Sequence, residues 1–252
     1  VCASLAQYGM QAELVTRLPE NPIADAAIAS LRKFGIGTDA VARGGDRIGV
    51  IYTERGAAQR PSRVVYDRKH SAVAESTTET YDWDAIFEDA AWFHFTGITP
   101  ALSDTLPAVC VQACKAAKKK GVKISCDLNY RKNLWTTEQA GSVMGELLQY
   151  VDVLIANEED AEKVFGIRAA GSDVTAGKLD HAGYCDVARQ LSTRFDIPYI
   201  ATTLRKSISA SDNEWSAMLY HDGDVHFSKE YKIHIVNRVG GGDSFAGALI
   251  YG

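Results

Sequence analysis

Strand-like and helix-like patterns alternate along most of this chain, and no other feature constrains its fold as tightly. Short apolar runs occur at "AAWFHFTGI" (90–98), "GVKISCDLN" (121–129) and "IPYIATTL" (197–204). Such runs suit strands covered on both faces. Between them lie longer amphipathic stretches, "SDTLPAVCVQACKAAKKKG" (103–121) and "DVARQLSTRF" (186–195). "YVDVLIANEEDAEKVFG" (150–166) reads as a strand running into a helix. Strand–helix repetition of this kind calls for a mostly parallel sheet flanked by helices. Upstream, "NPIADAAIASLRKFGI" (21–36) reads as a helix capped by Asn21, with Pro22 in its first turn and Gly35 ending it; Ser103 is the expected cap of the helix after it. One region breaks the rhythm. "RIGVIYTE" (47–54) and "SRVVYDR" (62–68) alternate apolar with polar residues and leave no room for a helix between them. They suggest a small antiparallel piece beside the main sheet.

The 252 residues, 46% apolar and 23% charged, are enough for one large domain with a full-sized core. A net charge of −5 argues against a nucleic-acid surface, and no run is long and apolar enough to span a bilayer. Five cysteines without paired spacing do not form a disulfide framework. Cys110 and Cys114, four apart on an amphipathic stretch, read as small core thiols rather than a metal pair. A reducing cytoplasm is the expected compartment. Residues 1–9 read as a helix without its cap, and the last eight residues break off within a helix, so both ends are expected to be truncated.

The chemistry concentrates in "VGGGDSF" (239–245). Gly240, Gly241 and Gly242 precede an apolar helical stretch, where unpaired N–H groups and the helix dipole favour an anion. Glycines let a phosphate approach the backbone without Cβ clashes. Asp243 would repel that phosphate if anion binding were the only task. As a base it would take the proton of an attacking hydroxyl while the N–H groups hold the developing charge. The plainer alternative is a glycine-rich turn capped by Asp243.

Asn237 to Phe245 resemble the phosphate-site signature D-T-x-G-A-G-D-x-F of the ribokinase-like (PfkB) sugar kinases. The resemblance extends over nearly all 252 residues in the family's order of elements. It implies a single ribokinase-like domain over 1–252, with residues 47–68 in a small β lid, and a carbohydrate kinase using ATP and Mg²⁺. Asp243 would be the catalytic base, also touching the substrate, and Gly240–Gly242 the anion hole, with Gly240 and Gly242 on the nucleotide. "NEED" (157–160) looks like the family's N-x-x-E motif, which orders Mg²⁺ through water, with Asn157 and Asp160 in the two roles. Asp160 stands where Glu is usual. Asn157 as an N-cap followed by acids is the structural alternative.

"DLNYRKNLW" (127–135) follows a strand, and if the extended backbone continues, Asp127, Asn129 and Arg131 share one face. Tyr66 and Arg68 project together from "YDR". Two arginines suit a carboxylate-bearing sugar, though most arginines are solvated ion-pair partners. Both stretches, with "NRVGGGDSF", look most like the 2-keto-3-deoxygluconate kinases of the family, which implies that Tyr52, Tyr66, Arg68 and Arg131 contact the sugar acid and Asn129 lies in the same pocket. "ATTLRKSISA" (201–210) follows a strand where the family's nucleotide runs, making Thr203 and Arg205 nucleotide contacts. Asn237 replaces the family's aspartate beside a monovalent-cation site and puts cation activation in doubt. His94, in an apolar strand, reads as a core histidine. A homo-oligomer is expected, with the strands at 47–66 as its surface. The expected reaction makes a 6-phosphate from 2-keto-3-deoxygluconate; the alternatives are a fructokinase, a ribokinase or a non-catalytic sensor of sugar acid or nucleotide.

Overall fold

The structure is a computed structural model that describes residues 1–56, 60–61, 63–169, 181–209, 211–237 and 239–252. Ser62, Ala210 and Arg238, which belong to stretches singled out above, lie outside the described residues. The chain forms two compact units, residues 1–82 with 235–252, and residues 83–234.

The first unit begins with α1 (Cys2–Gln7), β1 (Thr16–Leu18), α2 (Pro22–Lys33) and β2 (Val41–Arg43). Asn21 caps α2 by accepting the Ala24 N–H at 3.0 Å, as its sequence indicates. β1 and β2 pair in parallel, and Leu18, Ala24, Ile28 and Val41 form a small core. β3 (Val50–Glu54) and β4 (Arg63–Asp67) form the expected antiparallel hairpin. The unit ends with α8 (Gly241–Tyr251), described after the second unit.

The second unit runs α3 (Trp83–Ile86), β5 (Trp92–Thr96), α4 (Leu106–Lys119), β6 (Lys123–Asp127), α5 (Thr137–Leu147), β7 (Val153–Ile155), α6 (Glu158–Phe165), α7 (His181–Phe195), β8 (Tyr199–Ser207), β9 (Asp212–His221), β10 (Asp224–Phe227) and β11 (Tyr231–His234). Its sheet has the order β10-β9-β8-β7-β6-β5, with β11 also on β9. β5 to β8 are parallel, and β9 to β11 are an antiparallel extension. This is the expected α/β architecture, a mostly parallel sheet with helices, beside the small antiparallel hairpin of the first unit. Ile124, Ser125 and Cys126 of β6 are all fully buried, as expected for a strand covered on both faces. α4 buries Leu106, Val109, Cys110, Ala113, Cys114 and Ala117, a helical stripe with both thiols inside it. Ser125 is satisfied by the Trp92 indole N–H at 2.7 Å and by His94 Nδ1 at 2.8 Å, so His94 is a paired, half-buried sheet residue.

Three expectations change. Ser103 does not cap α4; its hydroxyl bonds the Thr105 hydroxyl at 3.2 Å, and Thr105 is the N-cap without a side-chain cap bond. The extended backbone stops at Asp127, because Asn129 turns to φ 39°, so residues 127, 129 and 131 do not alternate along a strand. Thr203 and Arg205 lie inside β8, which runs to Ser207, rather than in a loop after it.

Gly97, just past β5, makes the closest backbone approach near the ends of β5 and β6. Its N–H bonds the Asp127 carbonyl at 2.9 Å, and a Cβ on it would overlap the Leu128 carbonyl oxygen. That carbonyl has little freedom to yield, since Leu128 N–H is bonded to Ile155 at 2.9 Å. Gly97→Ala is therefore expected to destabilise by about 1–3 kcal/mol or more. At roughly 2–4 °C per kcal/mol, thermal unfolding should show this loss. A Tm within 1–2 °C (roughly) of the parent would show that the approach is not tight.

Candidate active site

α8 starts from a left-handed turn. Gly240 is its N-cap at φ 85°, a conformation that favours glycine. The first helical bond is Ser244 N–H to the Gly240 carbonyl at 2.8 Å, and the Ser244 hydroxyl bonds the same oxygen at 2.8 Å. The N–H groups of Gly241, Gly242 and Asp243 precede that bond and have no carbonyl one turn back within the helix. Gly241, Gly242 and Asp243 are exposed, whereas Ala246, Gly247 and Ile250 are buried. α8 packs on α1 through Gly247, where a Cβ would press on Ser4, and the Tyr8 and Tyr251 rings lie 5.0 Å apart. An anchored helix thus offers an open first turn with a carboxylate at its third position. Ahead of it, the Asn237 side-chain oxygen accepts the Val239 N–H at 3.0 Å, the local turn bond open to an asparagine.

The hairpin of the same unit sorts its side chains by register. Ile51 faces Tyr66 and Thr53 faces Val64, while Tyr52 faces Val65 and Val50 faces Asp67. Tyr66 and Arg68 therefore share a face, and the Arg68 guanidinium carbon sits 4.0 Å from the centre of the Tyr66 ring. Tyr52 is on the opposite face, so the hairpin brings two of its three candidate contacts together and sets the third apart.

In the second unit, parallel pairing does the positioning. Asp127 is in register with Ile155, so the segments that follow β6 and β7 leave the sheet side by side. One is the loop carrying Asn129 and Arg131; the other is Asn157 and the start of α6. Asn157 caps α6, its side-chain oxygen accepting the Asp160 N–H at 2.7 Å and its side-chain nitrogen donating to the Asp160 carboxylate at 3.0 Å. The structural alternative read from "NEED" is thus present, together with a buried carboxylate. Burial is the main cause that pushes the Asp160 carboxyl up to about 7; Asp127 beside it adds to the rise, and Arg131 and the Tyr130 backbone oppose it. Arg131 is exposed and donates to the Tyr130 carbonyl at 3.2 Å; Asn129 is half-buried. Asp127 belongs to this charge group, although residue spacing had assigned it no role. The parallel register of two adjacent strand ends is the signal that places it there.

On β8, Thr203 lies opposite Ala217 and Arg205 opposite Trp215, with Thr203 and Arg205 on one face of the strand. Among the described residues no group of three or more His, Cys, Asp or Glu forms a closed metal cage. Asp160, Asp127 and the Asn157 amide supply oxygen only. That set fits Mg²⁺, which binds through one or two carboxylates together with substrate phosphates and retains water.

The raised Asp160 carboxyl gives a pH dependence of known sign. Its folded value of about 7 exceeds the ordinary 3.8, so the folded chain holds an extra proton between these values. The stability is fully present below about pH 4 and is lost as pH rises through about 7. Asp160→Asn should therefore gain on the parent in urea unfolding as pH rises across that window. Parallel pH profiles for the two proteins would contradict the assignment.

Comparison with known proteins bears on the family and the fold. The whole chain, residues 1–252, matches the pfkB family of carbohydrate kinases. A 2-dehydro-3-deoxygalactonokinase of Haloferax volcanii is 32% identical over 252 residues, 99% of this chain and 72% of that protein. The crystal structure of a 2-dehydro-3-deoxygluconokinase from Thermotoga maritima superposes with a TM-score of 0.94 at 54% identity, over all of this chain and 74% of the other. An Escherichia coli protein described as a ribokinase II in complex with ATP and Mg²⁺ shares the fold, with a TM-score of 0.77 at 16% identity, over 98% of this chain and 71% of that one. With a glycine-led helix start, a two-stranded antiparallel hairpin and a mostly parallel sheet, and the whole chain matched, the chain belongs to the pfkB family of carbohydrate kinases.

Proposed function

We propose that this protein transfers the terminal phosphoryl group of ATP to the 6-hydroxyl of 2-keto-3-deoxygluconate. The observation that carries the proposal is the solvent-facing Asp243 carboxylate on a helix start whose N–H groups are free of helical partners. Asp243 takes the proton of the attacking hydroxyl as the new O–P bond forms. The N–H groups of the Gly240–Gly242 turn hold the charge on the phosphoryl oxygens. Gly240 and Gly242 also lie against the nucleotide, with Thr203 and Arg205 as its further contacts. Asn157 and Asp160 would hold Mg²⁺ through water, and the ion would neutralise phosphate charge. Arg131, Arg68 and Tyr66 hold the sugar acid, with Asn129 beside Arg131; a guanidinium pairs with its carboxylate in a way that neutral sugars do not exploit.

The whole chain then acts as one ribokinase-like domain with residues 47–68 as its lid. Tyr52, a candidate substrate contact, shares its face of the lid with Val50 and Val65, all three exposed. That face suits a second copy of the chain in a homo-oligomer. Asn237 already spends its side-chain oxygen on Val239, and the proposal includes no monovalent-cation requirement. No helix among the described residues is long and apolar enough to cross a membrane, and all five cysteines are free, which suits a cytoplasmic enzyme. The Haloferax relative's name favours one second reading, the C4-epimeric galactonate substrate.

Asp243→Asn is expected to lower kcat by ~10²–10⁴, the usual loss for a general base. A kcat within about threefold of the parent, well short of that range, would remove Asp243 from its role. Arg131→Ala should raise KM for the sugar acid by roughly ten- to hundredfold while leaving KM for ATP nearly unchanged. A parent enzyme that turns over fructose as well as the sugar acid would contradict the carboxylate-binding assignment and favour a fructokinase.

A further inference from the structure

Arg68 sits just past the end of β4, outside the hairpin ladder, yet one side chain holds both of its chain neighbours. The Arg47 guanidinium donates to the Lys69 carbonyl at 2.9 Å and to the Asp67 carbonyl at 3.1 Å, and it pairs with the Asp67 carboxylate at 2.8 Å. The backbone closes the same connection, since Ala72 N–H bonds the Arg47 carbonyl at 2.8 Å. Arg47 thus joins the segment leading into β3 to the segment leaving β4 through both its main chain and its side chain.

A partly exposed ion pair contributes little by itself. The two carbonyl bonds add geometry, because a planar guanidinium donates to several acceptors at once from a fixed fork. Those acceptors, on residues 67 and 69, bracket Arg68. Beyond them the chain turns: Ser71 N–H bonds the Arg68 carbonyl at 3.3 Å, and His70 takes φ 54°, a conformation that a residue other than glycine keeps only when its surroundings hold it. Gly49 lies against the Arg68 stem, where an added Cβ would stand 3.3 Å from the Arg68 Cβ. The Arg68 guanidinium carbon rests 4.0 Å from the centre of the Tyr66 ring. The ion pair has an effect of its own. Asp67 is the carboxylate next to Arg68 in the chain, and by register it lies opposite Val50, on the hairpin face away from Tyr66. Its engagement by Arg47 keeps that negative charge off the face of Tyr66 and Arg68, where it would compete with an acidic substrate for a guanidinium.

We propose that Arg47 is a positioning residue for the sugar acid: it fixes the backbone on both sides of Arg68 and holds the Asp67 carboxylate away, and so presents the Arg68 guanidinium to the substrate. The proposal deepens the reading of the site given above and rests on Arg68 meeting the sugar acid.

Steady-state kinetics of Arg47→Ala, Arg68→Ala and the double variant test it as a cycle. Arg47→Ala should raise KM for the sugar acid by about tenfold or more and leave KM for MgATP within about twofold of the parent. Arg68→Ala should raise the same KM. The double variant should be within about twofold of Arg68→Ala alone, because Arg47 acts through Arg68 and the two losses do not add. Arg47→Lys keeps the charge but offers one nitrogen where two are used, and should recover only part of the loss; if Arg47→Ala does not fold, Arg47→Lys takes its place in the cycle. An unchanged KM for the sugar acid in the folded Arg47 variant would overturn the proposal. So would losses that add in the double variant, or a rise in KM for MgATP alone. If the parent phosphorylates no sugar acid, or Arg68→Ala leaves its KM unchanged, the reading of the site fails on its own. Hydrogen exchange of the Ser71 and Ala72 amides, expected to quicken at least about tenfold in the Arg47 variant, then still decides whether Arg47 holds the Arg68 segment.

Discussion

Much of the site in the second unit depends on one backbone pairing, the parallel ladder between β6 and β7 that sets Asp127 beside Ile155. Parallel strands release their C-terminal loops at the same edge of a sheet, where ligands of open α/β folds bind. Here that places "DLNYR" next to "NEED", motifs separated by the 25 residues 132–156. The cost is a pair of carboxylates, Asp127 and Asp160, close enough to disturb each other. The Asn157 amide, which donates to Asp160, and the Arg131 charge limit that cost, and a divalent cation would relieve it further.

The helix start at Gly240 works by the opposite means. Residues 241–244 are exposed. Gly240 supplies the left-handed turn, the anchored face of α8 supplies rigidity through Gly247 against Ser4, and the exposed first turn supplies donors. Asp243, the proposed proton acceptor, is thus an open carboxylate, whereas Asp160 is a buried, hydrogen-bonded one.

The layout of the parallel strands was legible in the sequence because each apolar run is short, bounded and followed by an amphipathic stretch. Asn21 and Gly35 around α2, the hairpin at 50–67 and the helix after Gly240 were legible for the same reason, since local chemistry alone decides them. The antiparallel extension was not, although Asp222 and Gly223 form a two-residue turn at φ 49° and 93°, the dipeptide that marks a hairpin. β9 reads as a continuation of the polar stretch after β8, and only pairing with β8 makes it a strand. α5 begins with a formed capping box, Thr136 with Gln139, a start signal carried by the sequence itself. In the site, residue type pointed to Asp243, Arg131 and Asn157, but faces and partners were beyond the sequence. Tyr52 shares a hairpin with Tyr66 yet not its face, Asn129 bends instead of extending, and Asp160 is bound to the Asn157 side chain.

The most direct measurement is to identify the product formed by the unmodified protein with MgATP and 2-keto-3-deoxygluconate, using phosphorus and carbon NMR of the reaction mixture. The expected result is stoichiometric ADP and a single phosphomonoester on the C6 oxygen, with no such product from fructose or ribose under the same conditions. Phosphorylation of the neutral sugars instead, or ATP binding with no transfer to any sugar acid, would contradict it.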